Sequence, residues 1–94
     1  MATIKEATEN AAAFAREALG PARTQGLRLE EIVAETENGN EVWLITLSMV
    51  ADEYLNGLGA ALAAINPKRE YKVFTVQKNT GEVTSMKIRE LSNA

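Results

Sequence analysis

The chain has no cysteine and no histidine, a single tryptophan, two prolines and one aspartate, Asp52. Without cysteine there is no disulfide framework, no thiolate nucleophile and no structural zinc site of the usual kind. Without histidine as well, acid–base chemistry would fall to carboxylates, a perturbed lysine or a tyrosine. The first residues, Met1-Ala2-Thr3-Ile4-Lys5-Glu6, lack a basic stretch followed by an apolar run, so the sequence shows no signal peptide and reads as cytoplasmic. The apolar segment from Ala51 to Pro67 is shorter than the roughly 20 residues a membrane span requires. A net charge of −3 argues against a general nucleic-acid binder.

What remains is the composition of one globular α+β domain: 94 residues, 46% hydrophobic and 24% charged, enough for one modest core. Thr3-Ile4-Lys5-Glu6 is a capping box. Ile4, Ala7, Ala11, Phe14 and Ala18 then recur at helical spacing until Gly20-Pro21, which predicts a helix over 4–19 ended by a left-handed glycine cap. Its apolar stripe is mostly small, with Phe14 as the one large anchor.

Two hairpins follow. Asn38-Gly39 favours a two-residue type I′ turn between strands at 27–37 and 41–49. That turn pairs Glu37 with Asn40, Ala34 with Trp43 and Ile32 with Ile45, and it puts Leu47 on the same face. Asn79-Thr80-Gly81 suits a three-residue loop between strands at 70–78 and 82–91. Phe74 then faces Met86, with Val76 and Ile88 alongside. Between the hairpins, Leu55, Leu58, Leu62 and Ile65 have helical spacing after a plausible N-cap at Asp52. Gly57 and Gly59 make this 52–65 helix marginal, each costing about 1 kcal/mol. The expected fold is therefore a four-stranded antiparallel sheet in the order 1-2-3-4, with the first helix on one face and a short helix or apolar loop between strands 2 and 3.

The leading helix, the paired strands and a last hairpin with Thr80-Gly81-Glu82-Val83 at its turn resemble the PepSY domain, a small cystatin-like α+β module. The resemblance spans most of the chain except about 50–68. It implies a role in protein binding, of the kind proposed for peptidase inhibitors, although such domains are typically secreted or membrane-attached.

Charge is segregated along the chain. Leu29 to Pro67 holds Glu30, Glu31, Glu35, Glu37, Glu41, Asp52 and Glu53 and no base. Lys68 to Arg89 holds Lys68, Arg69, Lys72, Lys78, Lys87 and Arg89 against Glu70 and Glu82. The pairs Glu30-Glu31 and Asp52-Glu53 are sequence neighbours, whose side chains diverge on a strand or helix and form no carboxylate dyad. Asp52, Glu53 and Asn56 lack the loop spacing of a cation site. Gly57-Leu58-Gly59 lacks the remaining glycines of a phosphate loop. No catalytic residue, metal ligand or cofactor site is expected.

The reading that remains is a non-catalytic protein-binding module. Val33, Val42, Leu44, Tyr71 and Val73 fall on the sheet face away from the first helix, with Glu31 and Glu35 at one rim and Lys87 and Arg89 at the other. The partner is another protein or a second copy, with Leu55, Leu58 and Leu62 as a further contact. Ordinary cover of that face by the 52–65 helix is the competing structural account. The alternatives are a small-ligand-binding or enzyme subunit of cystatin-like fold, and a weak single-stranded nucleic-acid binder using Tyr71, Lys72, Lys87 and Arg89.

Overall fold

Thr3 and Glu6 start the first helix. The Thr3 hydroxyl accepts the Glu6 backbone N–H at 3.1 Å, and the Glu6 carboxylate accepts that of Thr3 at 3.0 Å. This reciprocal cap opens α1, Ile4–Leu19, in a computed structural model that describes residues 1–50 and 69–90. The buried stripe of α1 is Ala7, Ala11 and Ala15, which shares Ala7 and Ala11 with the stripe expected from spacing but continues through Ala15 instead of Phe14 and Ala18. Ile4 and Ala18 are exposed, and Phe14 keeps 37% of its surface while its ring meets Phe74 edge-on at 6.3 Å. The cap is also different. The Gly20 N–H closes on the Arg16 carbonyl at 2.9 Å, but φ 85° and ψ 164° place Gly20 in an extended positive-φ region rather than the left-handed one. Only glycine adopts that region readily. It sends the chain directly into the 3-10 turn Ala22–Thr24.

β1, Arg28–Glu37, and β2, Asn40–Val50, are joined by Asn38 at φ 52° and Gly39 at φ 81°, the two positive angles of a type I′ turn. Glu37 pairs with Asn40, Ala34 with Trp43 and Ile32 with Ile45, as the turn residues predict. Beyond Glu31 the regular ladder breaks. A bulge at Glu30 lets Leu29 pair with Leu47 and Arg28 with Ser48. The extra residue returns Leu29 to the face of Ile32 and frees Glu30.

β3, Arg69–Gln77, and β4, Val83–Ile88, form the second hairpin. Phe74 faces Met86, but through a different loop from the three-residue one expected. Gln77 N–H donates to the Glu82 carbonyl at 2.9 Å, so four residues, Lys78 to Gly81, make the turn. A bulge near Thr84 then restores the register, leaving Val76 opposite Val83 and Thr75 opposite Ser85. Gly81, at φ 78°, is held against α1 by the Asn10 amide, which donates to its carbonyl at 2.9 Å.

The result is an α+β fold with one helix against a four-stranded antiparallel sheet in the order β1-β2-β3-β4. The core lies between the alanine stripe and Ile45, Leu47, Phe74 and Val76, with Leu27, Ile32, Trp43, Val83 and Met86 around it. Lys78 places its ammonium 4.2 Å above the Trp43 ring at the hairpin end of this layer. The expected helix over 52–65, with Leu55, Leu58 and Leu62, lies outside the described residues.

Methyl groups allow α1 to sit close on the sheet, so added volume at the stripe has no room. Ala11→Leu should lower stability by about 1–3 kcal/mol, and Phe74→Ala by about 3–5 kcal/mol, both read as urea midpoints. An Ala11→Leu midpoint equal to wild type would show that the helix can lift without cost.

Candidate functional site

The sheet face away from α1 is ordered in cross-strand rows by the pairings. One row is Val33, Leu44, Thr75 and Ser85; the next is Glu31, Thr46, Val73 and Lys87. A third contains Arg28, Ser48 and Tyr71, extended by Arg89, whose N–H donates to the Tyr71 carbonyl at 2.9 Å. Glu35, Val42 and Gln77 form the row nearest the turns.

Five of the expected contact residues thus lie close together: Val33, Leu44, Val73, Tyr71 and Lys87. Val33 is 39% exposed, Lys87 is exposed, and the other three are half-buried. Val42 is on the same face but has no accessible surface, so it is removed from the contact set. Arg89 also departs from its expected place as a free rim charge. Its guanidinium reaches back across the face and donates to the Glu31 carboxylate and to the Thr46 hydroxyl, both at 2.7 Å. The possible second contact, Leu55, Leu58 and Leu62, is outside the described residues.

The middle of the face is built from hydroxyls rather than from apolar groups alone. Thr46, Ser48 and Thr75 are all buried, and a buried hydroxyl is costly unless it is hydrogen-bonded. Each one is. The Ser85 hydroxyl donates to that of Thr75 at 2.8 Å, and Arg89 serves Thr46. Ser48 donates to the Glu30 carboxylate at 2.5 Å and accepts the Arg69 Nε–H at 2.8 Å. Arg69 Nη2 also donates to the carbonyls of Gly26 and Ser48, and Arg28 Nε donates to Glu30 at 2.6 Å. Gly26 sits at φ 63°, a left-handed conformation that favours glycine, and a Cβ there would also crowd the Val50 Cγ2 at 3.2 Å.

This node was not legible from residue spacing, because it depends on the bulge. Glu30 and Glu31 are expected to diverge, yet the extra residue brings both to the outer side, where they separate by partner: Glu30 to Ser48 and Arg28, Glu31 to Arg89. The Ser48 hydroxyl and then Arg28 hold the Glu30 carboxyl below its ordinary range. A carboxylate stabilised in that way is a weak base, and Ser48 has no surface that a substrate could reach. The node is an anchor between four segments of chain. Among the described residues no three potential metal ligands come together. No described helix is long and apolar enough to cross a membrane.

No protein-family model, curated protein or solved structure matches the chain.

The depressed Glu30 carboxyl links this node to pH. Its folded value lies below its unfolded one, so its stabilisation is present above the ordinary glutamate value, about 4.3, and is lost as pH falls through the folded value. Ser48→Ala should move the Glu30 titration upward toward the ordinary range by NMR. It should also flatten the acid limb of the stability profile. Identical titrations in wild type and variant would show that Ser48 does not hold the carboxylate.

Proposed function

We propose that the chain is a non-catalytic protein-binding module that contacts its partner through the outer face of the sheet, around Val33, Leu44 and Val73. The observation that carries this reading is the way the face is braced. Arg89 and Arg69 are both committed internally, to Glu31 and Thr46 and to Ser48 and Gly26. Such bracing fixes side-chain positions before any partner arrives, and less entropy is then lost on binding. Among the described residues Lys87 and Glu35 take no part in an ion pair. They flank the apolar group from opposite edges, an arrangement suited to orienting a partner with complementary charge. A small inhibitor or immunity-type protein is the form of this reading that the PepSY resemblance implies.

A photo-crosslinking residue placed at Val33, in cells that make the protein, is expected to give a discrete protein adduct that the same residue at Glu9 on α1 does not give. Against the partner so identified, Val33→Asp should weaken binding at least tenfold, about 1.4 kcal/mol, while the thermal midpoint shifts by less than about 4 °C. Equal adducts at both positions, or affinity untouched by Val33→Asp, would remove the outer face as the contact surface.

A further inference from the structure

The two sheet edges form a separate pair of surfaces. β1 is exposed along its whole length except at half-buried Ile32, and its only strand neighbour among the described residues is β2. The two-residue turn makes Glu37 and Asn40 a hydrogen-bonded pair. Alternation then points the backbone groups of Glu35, Val33 and Glu31 at β2, and those of Ile32, Ala34 and Thr36 outward. At the other edge, the Arg89 N–H donates to Tyr71. Lys87 and Ser85 therefore also face β3, while Met86 and Ile88 point outward. On both edges the outward-facing backbone belongs to residues whose side chains lie on the helix side. The two edges match in hydrogen-bond phase and in sidedness.

They also match in charge and in apolar surface. The outer side of β1 carries Glu35 and Glu37 beside Glu31, whereas β4 carries Lys87, with Arg89 just beyond its end. Glu31 and Arg89 pair with each other within one copy, which leaves Glu35, Glu37 and Lys87 as the edge charges. Two β1 edges paired about a twofold axis would set acids against acids, and two β4 edges would set bases against bases, both unfavourable. Ile88 is 76% exposed at one edge, and Leu29 is 45% exposed on the corresponding face at the other. Asn10 and Phe14 share one flank of α1, and the Asn10 bond to Gly81 directs that flank toward β4. The half-open Phe14 ring is therefore on the same side of the molecule as Ile88, while α1 packs on β2, β3 and β4.

We propose that copies of the chain assemble head to tail, β4 of one copy lying antiparallel beside β1 of the next, with Ile88 opposite Ile32 of the neighbouring copy. Met86 then faces Ala34, and Arg89 faces Glu31. Lys87 faces Val33, with Glu31 and Glu35 on its two diagonals. The contact is heterologous and leaves one free edge of each kind, so it produces open chains rather than a closed dimer.

Light scattering or sedimentation of the wild-type chain should show a mass that rises with concentration without levelling at two copies, and that falls as salt screens the edge charges. Ala34→Pro and Ile88→Pro remove outward-pointing N–H groups without touching the internal ladder. Each variant alone should be monomeric, and an equimolar mixture should yield a one-to-one dimer, since each retains the edge the other has lost. A wild type that stays monomeric, a plateau at two copies, or a mixture with no heterodimer would each overturn the proposal. Should either proline variant fail to fold by circular dichroism, Lys87→Glu decides alone. It should abolish assembly, with recovery on mixing with Glu35→Lys, and unchanged assembly would refute the arrangement.

Discussion

Close approach of α1 to the sheet is the constraint from which the rest of the architecture follows. Ala7, Ala11 and Ala15 are fully buried against Ile45, Leu47, Phe74 and Val76. With only methyl groups on the helix, the large side chains must come from β2 and β3. The inner face of the two central strands is therefore apolar at Trp43, Ile45, Leu47, Phe74 and Val76, with Lys72 and Glu70 toward its end away from the turns. The helix has to lie across these strands rather than over β1. Phe14 is displaced to the flank by the same geometry, where it covers the edge of Phe74 instead of entering the layer. The reciprocal cap at Thr3 and the Asn10–Gly81 bond fix the start and the azimuth of the helix. Its alanines are thereby presented and not its exposed Ile4.

The opposite face is held together by a different chemistry. Thr46, Ser48 and Thr75 occupy central positions where branched apolar residues would be expected. The hydroxyls of Thr46 and Ser48 accept from the long arginine side chains of Arg89 and Arg69, and that of Thr75 accepts from the Ser85 hydroxyl. Arg69 and Arg89 carry positive charge from β3 and β4 toward the acids of β1, which are the only described strand residues able to balance it on this side. Exposed ion pairs contribute little singly. Here the benefit comes from coupling them to buried hydroxyls, whose unsatisfied state would cost about 1–3 kcal/mol each. The pairs are then difficult to break one at a time.

The parts of this design visible in the sequence are those set by local chemistry. Thr3 and Glu6 mark the helix start, Asn38-Gly39 sets the first register, and the alternation of Phe74, Val76, Met86 and Ile88 sets the faces of the second hairpin. What escapes are the single-residue adjustments. A bulge at Glu30 and another near Thr84 each change one residue's side, and nothing in the local composition distinguishes them from regular strand. The alanine stripe is similarly ambiguous. A helix with Ala7, Ala11, Ala12, Ala13, Ala15 and Ala18 offers several nearly equivalent faces, and tertiary contact chooses among them. The Arg69 and Arg89 bonds span 21 to 58 residues of sequence, so they become readable only once the strands are in register.

The division of charge between the first and second hairpins is the link between the internal structure and the surfaces offered outside. Had the acids and bases alternated within each strand, they would have satisfied one another along a single edge and left both edges alike. Because they are largely segregated, among the described residues only Glu30 is balanced within its own strand, by Arg28. The other acids can be met only across the sheet, and the span limits this. Arg89 reaches Glu31, but shorter or differently placed groups such as Lys87 and Glu35 do not meet. Among the described residues the sheet therefore has a braced interior row and an unmatched charge at either side, acidic beside β1 and basic beside β4. A face with that polarity discriminates between the two orientations of anything that lies across it. The edges, carrying the same signs, discriminate in the same sense between unlike and like neighbours. Both properties come from one feature of the chain: the acids of the first hairpin's outer side outnumber its one base, Arg28, while the second hairpin's outer side carries Arg69, Lys87 and Arg89.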